Sequence, residues 1–366
     1  MSHISLRRPR RALVLAGIVA GALAGPAASG AMASVGAVYT QDNDPAGNAV
    51  QRFDRAADGT LSPGHSFPTG GAGLASLGGR QGAVELSDDE AFVFAVNAGS
   101  DTVTALRVTG GGLTVAGTTA SGGVAPTSVD EQGGKLYVLN SGGTPNVAAF
   151  TVGIDGTLTP IAGGSRDLPG AQGAAQVSVT PDGSALVVSE RVSNRLEVLP
   201  LDGAGRPGVP VITASSGTVP FGFAIDNRGQ VIVSEAGASS VSSYRIAGDA
   251  PLDAITPSLA VGVGGACWVA VAPNGRFAYT GNVSGSITGF RVGAAGRLTK
   301  LDTISLAPTP RDLDFARNGR FVYVVRPGTA AAPGRVTGYR VATDGSLDEI
   351  TSVPAVAPGM TGAAAA

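Results

Sequence analysis

Short runs of aliphatic and aromatic residues, each ending in a polar turn, recur seven times from Val38 onwards. They read Val38–Thr40, Phe92–Asn97, Leu136–Asn140, Leu186–Glu190, Val231–Glu235, Phe277–Asn282 and Phe321–Val325. A second run follows each: Val50–Phe53, Val103–Leu106, Val147–Phe150, Leu196–Leu199, Val241–Tyr244, Ile287–Phe290 and Val336–Tyr339. The spacing, roughly 44 to 54 residues, is that of four-stranded propeller blades. Six units also carry an upstream strand and a hairpin turn such as Pro181-Asp182-Gly183, Pro273-Asn274-Gly275 or Arg317-Asn318-Gly319. Asn-Gly and Asp-Gly supply the positive φ angles of such turns. D-G-x-L turns at Asp58–Leu61, Asp155–Leu158 and Asp344–Leu347 precede the outer strands. The pattern predicts an all-β, seven-bladed β-propeller.

The first unit lacks an inner strand, and the chain after Val353 has no unit of its own. A segment around Met360–Ala364 is therefore expected to complete the first blade, joining N- and C-terminal strands and removing an open edge. Fraying of this Ala/Gly-rich tail is the alternative. No composition break interrupts residues 34–366, which read as one domain.

Residues 1–33 read as a leader. Arg7, Arg8, Arg10 and Arg11 precede an apolar run from Ala12 to Ala24 and the small-residue stretch Ala31-Met32-Ala33. This is the order of a secretory signal peptide, too short for a stable membrane span. A secreted or periplasmic protein is expected, free of the membrane after cleavage; an uncleaved anchor and the choice between general and twin-arginine export stay open.

The 56 Gly and 23 Pro among 366 residues suit many tight turns, and 43% hydrophobic residues suffice for a core. The net charge of −2, with lysine only at Lys135 and Lys300, gives no basic patch, so nucleic-acid binding is not expected. The two histidines are His3 in the leader and His65 beside an outer turn, which excludes a two-histidine metal site and a Ser-His pair at the channel. No cofactor or metal is expected. Asp42-Asn43-Asp44 could ligate calcium, though a turn explains it more simply. The single Cys267, between Ala266 and Trp268, reads as a small buried residue rather than a nucleophile.

In a propeller, ligands meet the central channel and the loops of one face. The inner strands begin at Arg80-Gln81, Pro126-Thr127, Gln176, Phe221, Trp268 and Arg311, and the second strands end at Asn97, Asn140, Glu190, Glu235, Asn282 and Arg326. Glu190 and Glu235 share the repeat position of the three asparagines. They either accept hydrogen bonds from turn amides or serve as a general base. Phe221 and Trp268 either stack on a ligand or plug the channel. Arg80 and Arg311 suit an anionic ligand.

The phrase Val177–Gly183, the strand Leu186–Val188 and the stretch from Glu190 to Gly203 resemble the bacterial lactonase family of seven-bladed propellers, over the whole of residues 34–366. That family includes a 6-phosphogluconolactonase and the fungal carboxy-muconate cyclase. The resemblance implies a catalytic cluster, from which this chain departs. Gln176 stands where those members carry a histidine, Val219-Pro220-Phe221-Gly222 replaces a G-P-R-H-like phrase, and Asn282-Val283-Ser284 replaces N-R-G. Glu235 and Pro310-Arg311 are retained.

Two readings result. In the first, an exported monomeric lactonase uses Glu235 to activate water, Gln176 to hydrogen-bond the lactone carbonyl, and Arg311 with Arg80 to hold an anionic lactone. Gln81, Glu190, Phe221, Trp268 and Asn282 line the substrate. A strained ester needs little beyond a positioned water and an oxyanion donor. In the second, the ring is a non-catalytic binder of a protein, glycan or small ligand.

Overall fold

A computed structural model describes residues 34–74, 80–248, 250–307, 309–328, 333–357 and 359–366; the leader at 1–33 lies outside the described residues. The described chain forms seven four-stranded antiparallel sheets, the blades of a seven-bladed β-propeller. Their inner strands are Thr361–Ala365, Val84–Leu86, Val124–Gln132, Ala174–Val179, Pro220–Ile225, Ala266–Val271 and Asp312–Phe315, for blades 1 to 7. Among the described residues no helix is long and apolar enough to cross a membrane.

The ring closes within blade 1. Thr361–Ala365 pairs with Ser34–Gln41, setting Val38 opposite Ala365, Tyr39 opposite Ala364 and Gln41 opposite Thr361. The segment expected to complete the first blade is thus its buried inner strand, and the alternative of a fraying tail does not hold.

Apolar packing is strongest between neighbouring blades. Phe92 and Phe94 of blade 2 meet Leu136, Val138 and Phe150 of blade 3, and Phe321 and Tyr323 of blade 7 meet Phe53 and Val38 of blade 1. Each such aromatic contributes about 1.5–3 kcal/mol by leaving water. The D-G-x-L turn is the companion of this seam. Asp344 accepts the Ser346 amide at 2.9 Å, and Tyr279 of blade 6 donates its hydroxyl to the Gly345 carbonyl at 2.8 Å. Gly345 has φ +94°, and a Cβ there would stand 2.6 Å from the Phe277 ring. The same contact recurs where Tyr323 of blade 7 donates to Gly59 O of blade 1 at 2.8 Å. The recurring glycine is therefore needed both for its dihedral and for an aromatic of the preceding blade.

A second device sets where each inner strand starts. A turn residue in a left-handed conformation accepts the amide of a residue leading into the next blade: Asp101 from Ala125 at 2.7 Å, Asn194 from Val219 at 2.6 Å and Ser239 from Gly265 at 3.0 Å. Ala125 and Val219 are themselves held at φ +51° and +57°. For a β-branched residue such as Val219 that region is strained.

Candidate functional site

The ends of the second strands lie inside the blades. Asn97, Asn140, Glu190, Glu235 and Asn282 are each fully buried. The Glu235 carboxylate accepts hydrogen bonds from Gly217 N at 2.7 Å and from the hydroxyls of Ser215 at 3.0 Å, Ser240 at 2.6 Å and Ser242 at 2.7 Å. Glu190 accepts from Ser193 and pairs with Arg195 at 2.8 Å, and Arg195 lies 2.7 Å from Glu197. Burial and the nearby Glu190 push Glu197 up to about 8. Asn282 donates to Ser286 and Thr288 at 3.0 and 3.1 Å. This position anchors the third strand of its blade and, at Glu235, the segment that leads into the blade. The water-activating role expected of Glu235, and the substrate contacts expected of Glu190 and Asn282, give way to this one, because all three side chains are fully buried and the Glu235 carboxylate already accepts four hydrogen bonds.

The starts of the inner strands are different. Arg80, Arg311 and Phe221 gather at one mouth of the channel with Arg191, a residue sequence reasoning missed. The Arg191 guanidinium lies 5.4 Å from the Phe221 ring centre and that of Arg311 lies 6.0 Å from Trp268. Phe221 and Trp268 meet edge to face at 6.0 Å. Arg80 is buried, with Nε and Nη1 lacking a hydrogen-bond partner. Burial and the Arg191 charge lower Arg80 to about 10, still cationic at neutral pH. Among the described residues none of these three arginines has an acidic partner. Trp268 and Phe221 both pack into one apolar cluster, at 1% and 8% exposed, and Phe221 also lies under the Arg191 guanidinium. Cys267 lies beside Arg311 and Arg191, but burial outweighs both and pushes its thiol up to about 11, which does not suit a nucleophile.

Beyond the mouth, two glutamines occupy the channel. Gln176 receives the Phe223 amide at 2.7 Å and donates to the Phe223 carbonyl at 2.9 Å. Gln81, from blade 2, receives the Val269 amide of blade 6 at 3.0 Å and donates to the same residue's carbonyl. The carbonyl-binding role expected of Gln176 is thereby taken by backbone. Next comes a cavity of about 300 Å³ whose lining includes both glutamines, Glu85, Asp130, Asp312 and Asp314. Asp130 accepts the Val179 amide at 2.7 Å and Asp314 the Ala365 amide at 2.9 Å, each tying its blade to the next. Burial pushes Asp130 up to about 6 and Asp314 to about 7, and raises Asp312 and Glu85 well above the usual carboxylate range. These acids alternate with apolar residues along the inner strands, as in Asp312-Leu313-Asp314. That is the signal that could have found them.

No group of three or more His, Cys, Asp or Glu side chains is placed to hold a metal ion among the described residues. Asp42 and Asp44 spend oxygens on turn amides, Asp42 on Ala49 N at 2.9 Å and Asp44 on Ala46 N at 2.9 Å. His65 lies on an outer strand and is exposed.

The architecture is thus a closed seven-bladed ring with a cationic cup at one end of its channel. The family described as "Lactonase, 7-bladed beta-propeller" matches residues 46–164, 146–264 and 250–361, and the chain belongs to that family. No curated protein matches it. Among solved structures, the ring is similar to a Lactobacillus plantarum protein at TM-score 0.74 and 18% identity, over 90% of this chain and 99% of that one. It is also similar to a periplasmic gluconolactonase of Pseudomonas aeruginosa, at TM-score 0.68 and 19% identity over 90% and 98% of the two chains. A Bacteroides fragilis protein, provisionally a 6-phosphogluconolactonase, gives TM-score 0.72 at 18% identity over 90% and 98%. At these identities the likeness shows the fold.

Proposed function

We propose that this protein is an exported, monomeric lactonase that opens a sugar-acid or carboxy-lactone in the cup formed by Arg80, Arg191, Arg311 and Phe221. The observation that carries this reading is the convergence of three guanidinium groups with no acidic partner among the described residues. Unpaired arginines at a channel mouth are suited to a ligand carboxylate and to the oxyanion that forms when water adds to an ester carbonyl. In this chemistry water adds to the carbonyl carbon, the ring C–O bond breaks, and the water proton ends on the alkoxide, leaving a hydroxy acid. With no free carboxylate or histidine in the described cup, the rate acceleration comes from water positioning and oxyanion stabilisation. The leader pattern supports export, and the Pseudomonas aeruginosa neighbour's description as a periplasmic gluconolactonase agrees with both parts of the reading.

That same lack of a base favours a second reading, a binder of small carboxylates that does no chemistry. The test is hydrolysis of a panel of sugar-acid and carboxy-lactones by residues 34–366 and by Arg191→Ala and Arg311→Ala. Turnover lost in both variants is expected. Carboxylate binding without turnover, abolished by the same variants, would establish the binder. Neither turnover nor binding would overturn the cup as a ligand site.

A further inference from the structure

We infer that Gln81 is a bar across the channel that divides it into two halves, a cationic cup open to one face and an acid-lined chamber open to the other.

The argument begins with the inner edges of the blades. An inner strand pairs with its own blade on one side only, so its other edge presents unpaired N–H and C=O groups. Consecutive blades cap that edge from one repeat position. Ser128 of blade 3 approaches both polar groups of Val177 in blade 4, at 3.2 Å from N and 3.5 Å from O. In blade 4 the same position is Gln176, which caps Phe223 of blade 5. In blade 5 it is Gly222, which has no side chain to offer. The uncapped residue is then Val269 of blade 6, and its N–H and C=O are taken by Gln81 from blade 2, on the opposite side of the ring. The Gln81 amide also comes within 3.4 Å of Phe223 O.

Gly222 and Gln81 are matched. A Cβ at 222 would lie 2.1 Å from Gln81 Oε1 and 2.5 Å from Cys267 O, so the glycine makes room for the crossing side chain. A local cap in blade 5, like Gln176 in blade 4, would satisfy Val269 without blocking the channel. Ordering a long glutamine across the channel costs about 1–2 kcal/mol of side-chain entropy. What the crossing adds is closure.

The charges on the two sides agree with a barrier. Arg80 and Arg311 precede inner strands and Arg191 lies in the turn after Ala185–Glu190, while Glu85, Asp130, Asp312 and Asp314 line the cavity beyond Gln81. No ion pair joins the two groups among the described residues. The chamber leads instead to an opening of about 270 Å³ on the opposite face, lined by Glu85, Asp88, Asp130, Glu131 and Arg317 among others. If the cup is the ligand site proposed above, the bar limits what enters to a short anionic head group. The division itself stands on the channel geometry alone.

The test uses charge-selective thiol labelling. Cys267→Ser removes the native thiol, and Ala224→Cys places a reporter on the half-buried wall of the acid chamber. Two methanethiosulfonate reagents, one with an anionic ethylsulfonate and one with a cationic ethyltrimethylammonium group, then report access from the two ends. With Gln81 present the cationic reagent reacts and the anionic one is slow. In Gln81→Ala, and in Gln81→Ser as a second variant, the anionic rate rises at least about tenfold through the arginine mouth and the cationic rate changes less than about threefold. An anionic rate that does not rise when Gln81 is removed, whether fast or negligible in both proteins, would overturn the bar. That failure would leave the cup's ligand binding untouched, since the labelling needs no cup ligand.

Discussion

Two rings of residues share one periodicity in this molecule and differ in everything else. The ring of second-strand ends, which includes Asn97, Glu190, Glu235 and Asn282, is wholly buried and supplied with hydrogen-bond partners from its own blade. The ring of inner-strand starts mixes two arginines, Arg80 and Arg311, with Gln81 and Phe221, and Arg80 has donors without partners. A side-chain type that recurs in a repeat protein answers a need that recurs, which is structural. A site instead appears where members of the ring differ and leave charge uncompensated. Glu235 drew attention as an acid among amides, yet its four donors show an anchor made with a carboxylate.

The largest expected effect of a single substitution breaks this contrast if it fails. Glu235→Ala leaves buried donors on Ser240 and Ser242 and half-buried ones on Ser215 and Gly217 unmatched, so urea unfolding should show a loss of about 3–5 kcal/mol. Arg311→Ala should change stability by less than about 1 kcal/mol, as expected of a half-buried side chain that has no ion pair among the described residues and meets only the Trp268 ring. If instead Glu235→Ala folds with native stability and abolishes turnover, the anchor reading of the buried ring is wrong.

The acid chamber gives the next effect, and its sign is unusual. Asp130 and Asp314, raised to about 6 and about 7, hold their protons in the folded ring at pH values where the unfolded chain is ionised. The folded state then binds more protons, so stability falls as pH rises. The contribution is fully present below the unfolded carboxylate value near 4 and is lost as pH rises through the folded values. On the order of 5 kcal/mol should disappear between pH 4.5 and pH 8, read from urea midpoints. Asp314→Asn should flatten that slope; a profile unchanged by the substitution would assign the pH dependence elsewhere.

On the other ring the scale is that of a ligand contact. Arg191→Ala and Arg311→Ala should each weaken carboxylate binding or lactone turnover about tenfold or more, equivalent to at least about 1.4 kcal/mol. Raising ionic strength should weaken binding to the wild type more than to either variant. Equal salt dependence in all three proteins would show that these guanidiniums do not meet the anion.

How much of this was readable from the chain follows the same division. The repeat, the hairpin turns and the closing strand were visible because each is a local pattern of turn residues and apolar alternation, and Thr361–Ala365 sits within one residue of the segment expected. Register alone put Arg311 next to the inner strand Asp312–Phe315, whereas Arg80 falls short of Val84–Leu86, in the segment that leads into it. What register cannot convey is what lies across a closed ring. The contact of Gln81 with Val269 spans 188 residues of sequence, and nothing near Gly222 signals that its missing side chain is supplied from blade 2. Arg191 was overlooked because it follows Glu190 in a turn, one residue past the position on which the periodicity had fixed attention.

The smallest effect concerns the strand start that brings Phe221 and Gly222 to the channel. Val219 is held at φ +57° with its amide on Asn194 at 2.6 Å, while Gly173 and Gly265 lead into the inner strands of the neighbouring blades with φ of +71° and +66°. Val219→Gly relieves a β-branched residue of a strained conformation worth about 1–3 kcal/mol and gives back about 0.5–1 kcal/mol as extra freedom in the unfolded chain. The net should be a gain near 1 kcal/mol in urea unfolding. If the strain also holds Phe221 beneath Arg191, the same variant should lose ligand affinity while gaining stability, an opposition that a purely structural role for Val219 would not produce. A variant that loses stability would mean that the valine side chain contributes more by packing than its backbone costs.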